Sequence, residues 1–242
     1  MDPQIIDANT MFGAHPAHRL DLSIERLVRE MDQYRIAASL TLSTIGVFYN
    51  HVKGNASTLE AAKANPRLVP IATLNPQSYF GDASELQNIR SEGFRIFKFY
   101  PAEQGWPIDS AAFREALKQL AGLKSPVMVD AGRPGEPTAV GRMAADYPAP
   151  VTICSVSGES LSEVLVVASE VPSIFIETHE LHVPGALGLL SNRIGSERII
   201  FGSGAPRRSV ASSLHYILSS ELPDADKQLV LGGNIRRILE AT

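Results

Sequence analysis

Two ionisable side chains lie in short apolar segments, where charged groups are uncommon. Asp130 ends the segment PVMVDA, and Lys98 lies within RIFKFY. A carboxylate in such a place can act as a general base, and a buried lysine can bind an anionic substrate or transfer a proton. The structural alternatives are a turn cap for Asp130 and an ion pair of Lys98 with Asp130 or Asp7. We treat Asp130 and Lys98 as candidate catalytic residues.

A third candidate lies in the segment IETHELHV. Glu177 and His179 are two positions apart, so on a strand they share a face and can form an acid–base pair. His179 and His182 are three apart and, with Glu177 or Asp130, can form a substitute metal site. THELH is not the H-E-x-x-H motif of metalloproteases, and a solvated loop is the alternative. We predict that His179 is catalytic and that Glu177 contacts the substrate.

Two further histidines follow the first apolar segment, in GAHPAHRL. His15 and His18 can reach back toward the end of that segment as metal ligands, or they can lie in an ordinary loop, as Pro16 indicates. No cofactor is predicted. The sequence leaves open whether His15, His18, His179 and His182 rebuild a weak divalent metal site.

The segment GSGAPRRS, residues 202–209, combines backbone freedom with positive charge. Glycine permits close approach of the backbone to a ligand, and amides at a helix start favour an anion. We predict that Ser203 and Arg207 bind a small anionic substrate, the alternative being a tight turn followed by two solvated arginines. The other predicted substrate-binding residues lie near the ends of apolar segments: Asn9, Tyr100, Ser155 and Glu177. No G-x-S-x-G motif indicates a serine hydrolase.

Eight short apolar segments must position these residues, and helical patterns separate them. The segments are QIIDAN, IAASLTL, LVPIATL, RIFKFY, PVMVDA, PVTICSV, IFIET and RIIFGS. Apolar strands alternating with helices indicate parallel βα units, and eight units predict a closed (β/α)8 TIM barrel of the α/β class. An open doubly wound sheet is less favoured because no G-x-G-x-x-G follows the first strand. In a barrel the active site lies at the carboxyl ends of the strands.

The composition fits one domain over residues 1–242, closed by a terminal helix. The 242 residues carry a net charge of -4 and no run of lysine or arginine, which argues against nucleic-acid and membrane partners. Neither a leader peptide nor a membrane span is predicted, so we expect a cytoplasmic protein. Ser23 and Ser110 are predicted helix N-caps. Near the end, Gly232 and Gly233 predict a turn before the last helix.

Four segments in order along the chain resemble the amidohydrolase superfamily, in its amidohydrolase-2 branch. IDANTMFG resembles the first-strand pattern I-D-x-H-x-H-x-G, and GFRIFKFYP resembles G-x-x-G-I-K-x-x-P of the fourth strand. FGSGAP resembles F-G-S-D-x-P of the eighth strand, and LGGNIRRIL resembles the closing helix, which begins with asparagine. The resemblance covers nearly the whole chain and implies a metal-dependent-hydrolase-like barrel that forms homo-oligomers.

The same resemblance implies that the usual metal-binding positions are substituted. Family members hold a divalent ion with histidines of the first, fifth and sixth strands, an aspartate of the eighth, and often a lysine or glutamate of the fourth. Lys98 alone matches this pattern. The other matching positions are occupied by Asn9, Met11, Asp130, Ser155 and Gly204. Because thioether and amide groups are poor ligands for zinc, we expect no tight metal site.

Two functions of different class follow from these residues. The first is a hydrolase or lyase that acts on a small carboxylated substrate at a non-standard, metal-free site. Lys98 and the loop at residues 204–208 would then hold the anion, while Asp130 or His179 transfers protons. The second is a catalytically silent amidohydrolase-like barrel that binds a small anionic ligand or a partner chain.

Overall fold

A computed structural model describes residues 4–17 and 19–241, and it contains the predicted barrel. His18, one of the possible metal ligands, lies outside the described residues. Eight parallel strands follow one another around the sheet in chain order. They are β1 (Ile5–Phe12), β2 (Ile36–Ser43), β3 (Leu68–Thr73), β4 (Ile96–Phe99), β5 (Val127–Asp130), β6 (Val151–Cys154), β7 (Ile174–Glu177) and β8 (Ile199–Ile200). The predicted (β/α)8 architecture is therefore confirmed.

Helices follow the strands and cover the outside of the sheet. They are α1 (Ile24–Gln33), α2 (Thr44–Phe48), α3 (His51–Ala64), α4 (Ala83–Ser91), α5 (Pro101–Gln104), α6 (Ala111–Gly122), α7 (Glu136–Ala144), α8 (Leu161–Glu170), α9 (Ala186–Ile194), α10 (Val210–Leu218), α11 (Asp224–Gln228) and α12 (Asn234–Glu240). Both predicted caps are confirmed: Ser23 accepts a hydrogen bond from the Arg26 amide and Ser110 from the Phe113 amide. No helix within the described ranges has the length and apolarity that a bilayer crossing requires.

Two apolar clusters divide the interior. The larger fills the space between the strands and the surrounding helices, as in the contact of Phe99 with Phe113. The smaller lies inside the barrel and includes Met11, Tyr100 and Met128. Side chains that alternate along each strand supply the two clusters, which explains why these strands are apolar throughout.

The barrel closes between β1 and the residues that follow β8. The Ala8 amide donates to the Phe201 carbonyl, and the Met11 amide donates to the Ala205 carbonyl, each at 3.0 Å. The pairing of β1 with β2 shifts register between Asp7 and Thr10. Because of this irregularity, simple alternation does not set the side-chain directions across that part of β1.

The predicted turn at Gly232 and Gly233 is wrong. Helical structure continues from α11 through a π-helical segment, Leu229–Gly233, into α12. A Cβ atom at Gly232 would lie 2.3 Å from the carbonyl oxygen of Gln4, so a side chain does not fit there. Gly232 therefore permits close packing against the start of β1 rather than a change of chain direction.

Candidate active site

A buried asparagine links two charged side chains from two different strands. The Lys98 ammonium, on β4, donates to Asn9 Oδ1 on β1 at 2.6 Å. Asn9 Nδ2 then donates to Glu177 Oε2, at the end of β7, at 2.7 Å. All three residues are at most 3% exposed. Lys98 is thus bound to a neutral amide, rather than paired with Asp130 or Asp7 as the structural alternative required.

Glu177 also fixes the orientation of His179. Its Oε2 lies 2.6 Å from His179 Nδ1, and its Oε1 accepts the His179 backbone amide at 2.6 Å. A carboxylate accepts, so Nδ1 carries the proton, and the 2.9 Å approach of Asn9 Nδ2 to Nδ1 is a contact between two donors. The other ring nitrogen, Nε2, lies 3.4 Å from Ser155 Oγ and 3.6 Å from Glu180 Oε1.

Ser155 follows β6 and connects His179 to Asp130. Its hydroxyl donates a hydrogen bond to Asp130 Oδ1. Ser155 has a φ of 63°, an uncommon backbone conformation for a residue with a side chain. Gly132 makes room for it, since a Cβ there would lie 2.2 Å from the Ser155 carbonyl oxygen. Ser155 is partly exposed, whereas His179 is 1% exposed.

The charges of this cluster stabilise one another. Burial alone would raise the pKa of Glu177, but His179, Lys98 and the Asn9 hydrogen bond outweigh burial and lower it. Burial alone would lower the pKa of Lys98, but the surrounding acidic groups raise it above its ordinary value; they are Tyr100, Cys154, Asp130 and Glu177. Lys98 and Glu177 are therefore both charged at neutral pH.

Tyr100, Glu103 and Arg207 extend the cluster. The Lys98 ammonium lies 4.9 Å from the centre of the Tyr100 ring, and no described residue hydrogen-bonds the buried Tyr100 hydroxyl. Burial, followed by the charge of Asp130, raises the pKa of Glu103. Arg207 Nη1 lies 4.0 Å from Glu103 Oε1, while its buried Nε contacts no acceptor in the described chain. Sequence reasoning missed Glu103, whose position after Pro101 carried no motif.

Hydrogen bonds to β1 occupy several groups of the loop after β8. The Ser203 amide donates to Asp7 Oδ1 at 2.9 Å, and its buried hydroxyl donates to Asp7 Oδ2. The Gly204 amide donates to the Asn9 carbonyl at 2.9 Å, and the Ala205 amide donates to Ser203 Oγ at 3.0 Å. These amides close the barrel and are not available to an anion. Ser203 is therefore bound to Asp7 in this structure, while substrate binding by Ser203 and Arg207 stays a prediction.

Among the described residues, His15 and His182 each have an aromatic ring as a neighbour. His15 stacks edge-on against Phe48, with ring centres 4.8 Å apart. His182 contacts Tyr216 and lines a cavity of about 470 Å³ between α9 and α10. In residues 4–17 and 19–241, no three His, Cys, Asp or Glu side chains lie close enough to hold a metal ion. Met11 packs in the apolar interior of the barrel.

Comparisons with known proteins agree with this architecture. The amidohydrolase family model matches residues 37–241. No curated protein matches the chain. The fold is similar to 5-carboxyvanillate decarboxylase LigW from Sphingomonas paucimobilis, with a TM-score of 0.80 and 15% identity over 99% of each chain.

Two other solved structures show the same likeness. A candidate 2-pyrone-4,6-dicarboxylic acid hydrolase from Pseudomonas putida has a TM-score of 0.80 and 15% identity over 99% of this chain and 98% of that one. A 5-carboxyvanillate decarboxylase from Novosphingobium aromaticivorans, complexed with manganese and 4-hydroxy-3-methoxy-5-nitrobenzoic acid, has a TM-score of 0.79 and 13% identity over 99% and 96%. At such identities the likeness concerns the fold alone. Because the family model spans most of its length, the chain belongs to the amidohydrolase family.

Proposed function

We propose that this chain is a hydrolase or lyase that acts on a small carboxylated substrate at the mouth of the barrel, without the metal ion of its family. The observation that carries the proposal is the continuous polar cluster of Lys98, Asn9, Glu177, His179 and Ser155 at the carboxyl ends of the strands. Proton donors and acceptors concentrated at that end of a (β/α)8 barrel are typical of an active site. The similar structures named as acting on carboxylated compounds support this substrate class.

The donor chemistry supports the metal-free part of the proposal. Asn9 uses its amide oxygen for Lys98 and its amide nitrogen for Glu177. The Lys98 ammonium would repel a cation at this position, and a divalent ion requires imidazole or carboxylate ligands. At Gly204 a Cβ atom would lie 3.1 Å from His179 Cδ2, so the imidazole occupies space that a longer residue would need. The residues present do not fit a divalent metal.

The proposed roles follow from exposure and charge. Arg207 is 23% exposed and has an unused Nε, so it binds the substrate carboxylate, with the buried charge of Lys98 adding to the attraction. Asp130 and His179 both contact Ser155 and are placed to transfer protons. Tyr100 offers a buried hydroxyl as a further donor.

One observation favours a second function, a catalytically silent barrel that binds a small anionic ligand. Lys98, Asn9 and Glu177 satisfy one another almost completely out of contact with solvent. A closed network of this kind can be structural and leave only Arg207 to hold a ligand. The homo-oligomeric state expected from the family resemblance stays a prediction in either case.

Two measurements test the proposal. Protein purified without chelator is analysed for bound metal, and stoichiometric zinc or manganese would contradict the metal-free site. The same protein is assayed on a panel of carboxylated esters, lactones and aromatic acids. We expect turnover that falls by about 100-fold or more in Asp130→Asn, as for a group on which proton transfer depends. The matched control is Asp146→Asn, at an exposed aspartate after α7. Absence of turnover across the panel would favour the silent barrel.

A further inference from the structure

We infer that Ser155, His179 and Glu177 form a nucleophile–base–carboxylate triad, and that the enzyme cleaves carboxylated esters or lactones through a covalent acyl-enzyme. The inference rests on the proposed function, because it places the same substrate class at the same barrel mouth and names the bond that is broken. The local sequence did not indicate a serine nucleophile, since the residues come from the ends of two different strands.

The three side chains have the order and contacts that such chemistry needs. Glu177 Oε2 accepts from His179 Nδ1 at 2.6 Å, which leaves Nε2 as the basic nitrogen. Nε2 lies 3.4 Å from Ser155 Oγ, a separation that is often loose before substrate binds. A serine, an imidazole and an orienting carboxylate linked in this way are recognised by geometry, on unrelated folds and in any chain order.

The backbone presents Ser155 to the mouth of the barrel. Its φ of 63° lies in the left-handed region, which residues with side chains seldom adopt. Strained positions of this kind are concentrated at active sites, and a strained turn after a strand is how serine hydrolases expose their nucleophile. Gly132 lies against the Ser155 carbonyl and permits this conformation. Ser155 is partly exposed, while its two partners are buried.

Asp130 is the competing base for the Ser155 proton, since the hydroxyl donates to it in this structure. An imidazole can take the hydroxyl proton and then give it to the departing alkoxide, and histidine is the residue most often found in this role. We therefore assign proton transfer to His179, and Asp130 orients the hydroxyl. Glu177 acts through His179 and is a positioning residue.

The proposed reaction has two steps. Ser155 Oγ attacks the carbonyl carbon of the ester, its proton passes to His179 Nε2, and that proton then goes to the departing alkoxide as the carbon–oxygen bond breaks. Water attacks the resulting acyl-serine, gives one proton to His179, and releases the acid; the proton returns to Ser155. In a lactone, the alcohol and the acid leave as one hydroxy acid.

A fluorophosphonate probe tests the triad without knowledge of the substrate. The Ser155 oxygen displaces fluoride from phosphorus, and the adduct is located by intact mass and peptide mapping. We expect labelling of Ser155, none in Ser155→Ala, and labelling at least about 100-fold slower in His179→Gln. Ser157→Ala, in the same loop, is the matched control and should label normally. Thermal unfolding of each variant confirms that it is folded.

The positioning role of Glu177 has its own readout. Glu177→Gln should label more slowly, because an amide does not stabilise the positive charge that forms on the imidazole, and Glu177→Asp should restore part of the rate. A purely structural role would lower the thermal unfolding temperature of Glu177→Gln and leave the labelling rate of the folded protein unchanged. Labelling lost in Asp130→Asn but retained in His179→Gln would overturn the assignment of the base.

The two proposals fail in different ways. If Ser155→Ala turns over the carboxylated panel as fast as the parent, or if the probe labels another residue or none, the triad is overturned while the proposed function stands. If Ser155 labels in a manner that depends on His179 but nothing in the panel turns over, the triad stands and the carboxylated substrate class is overturned.

Discussion

Asn9 connects the two buried charges of the site, and its replacement by leucine tests how the cluster is stabilised. Leucine has the same number and branching of side-chain heavy atoms but neither accepts from the Lys98 ammonium nor donates to Glu177. Each hydrogen bond to a charged group contributes about 1.5–3 kcal/mol. The loss of both predicts a decrease of about 3–6 kcal/mol in the free energy of unfolding. That decrease is a large part of the free energy of unfolding of a typical domain, which is roughly 5–15 kcal/mol.

The largest share of this cost belongs to Lys98, since Glu177 keeps its hydrogen bonds to His179. A second variant, Lys98→Met, removes the charge itself. In the double variant Asn9→Leu/Lys98→Met no unpaired ammonium remains, so its cost should be smaller than the sum of the single costs. Residues in one hydrogen-bonded network show such coupling at about 0.5–3 kcal/mol.

Urea unfolding followed by far-ultraviolet circular dichroism measures these differences at a fixed pH near neutrality. The matched control is Asn88→Leu, at an exposed position of α4, which should change stability by no more than about 0.5 kcal/mol. If Asn9→Leu is as mild as this control, or if the two site substitutions are additive, Lys98 is not a buried charge held by Asn9.

Three further predictions concern the surroundings of the site. In urea unfolding, Gly204→Ala should destabilise the protein by about 1–3 kcal/mol more than Gly105→Ala does. The two glycines have φ values of 72° and 71°, but only at Gly204 would a Cβ atom approach His179. Equal costs for the two substitutions would contradict crowding at Gly204. Burial raises the pKa of Asp7 from 3.8 to about 7, which favours the protonated form in the folded protein. The contribution of Asp7 to the free energy of unfolding is therefore complete below about pH 4 and is lost, by roughly 4 kcal/mol, as the pH rises to about 7. Asp7→Asn should flatten this pH dependence of stability, and an unchanged dependence would refute the assignment to Asp7. Arg207→Gln should raise KM for carboxylated substrates by about 10-fold or more with a smaller effect on kcat, whereas an unchanged KM would exclude Arg207 from carboxylate binding.

Much of the fold could be predicted from local sequence. Apolar segments of strand length, separated by amphipathic helices with serine caps, identify the eight βα units before any contact is known. That architecture places Lys98, Asp130 and His179 toward one end of the barrel. The turn predicted at Gly232 is wrong because the lack of a side chain there permits contact with Gln4, a residue far away in sequence.

The partners within the site depend on the tertiary structure. Asn9 and Glu177 are 168 positions apart, and they meet because β1 closes the barrel against the residues after β8. The register shift in β1 then sets which side chains turn inward, and it cannot be read from an alternating pattern. The sequence determined the strands, because apolar periodicity is local. Only the closed barrel decided that Ser155 faces His179, because that contact needs two groups from different strands to lie a few ångströms apart, and no local pattern encodes such a distance.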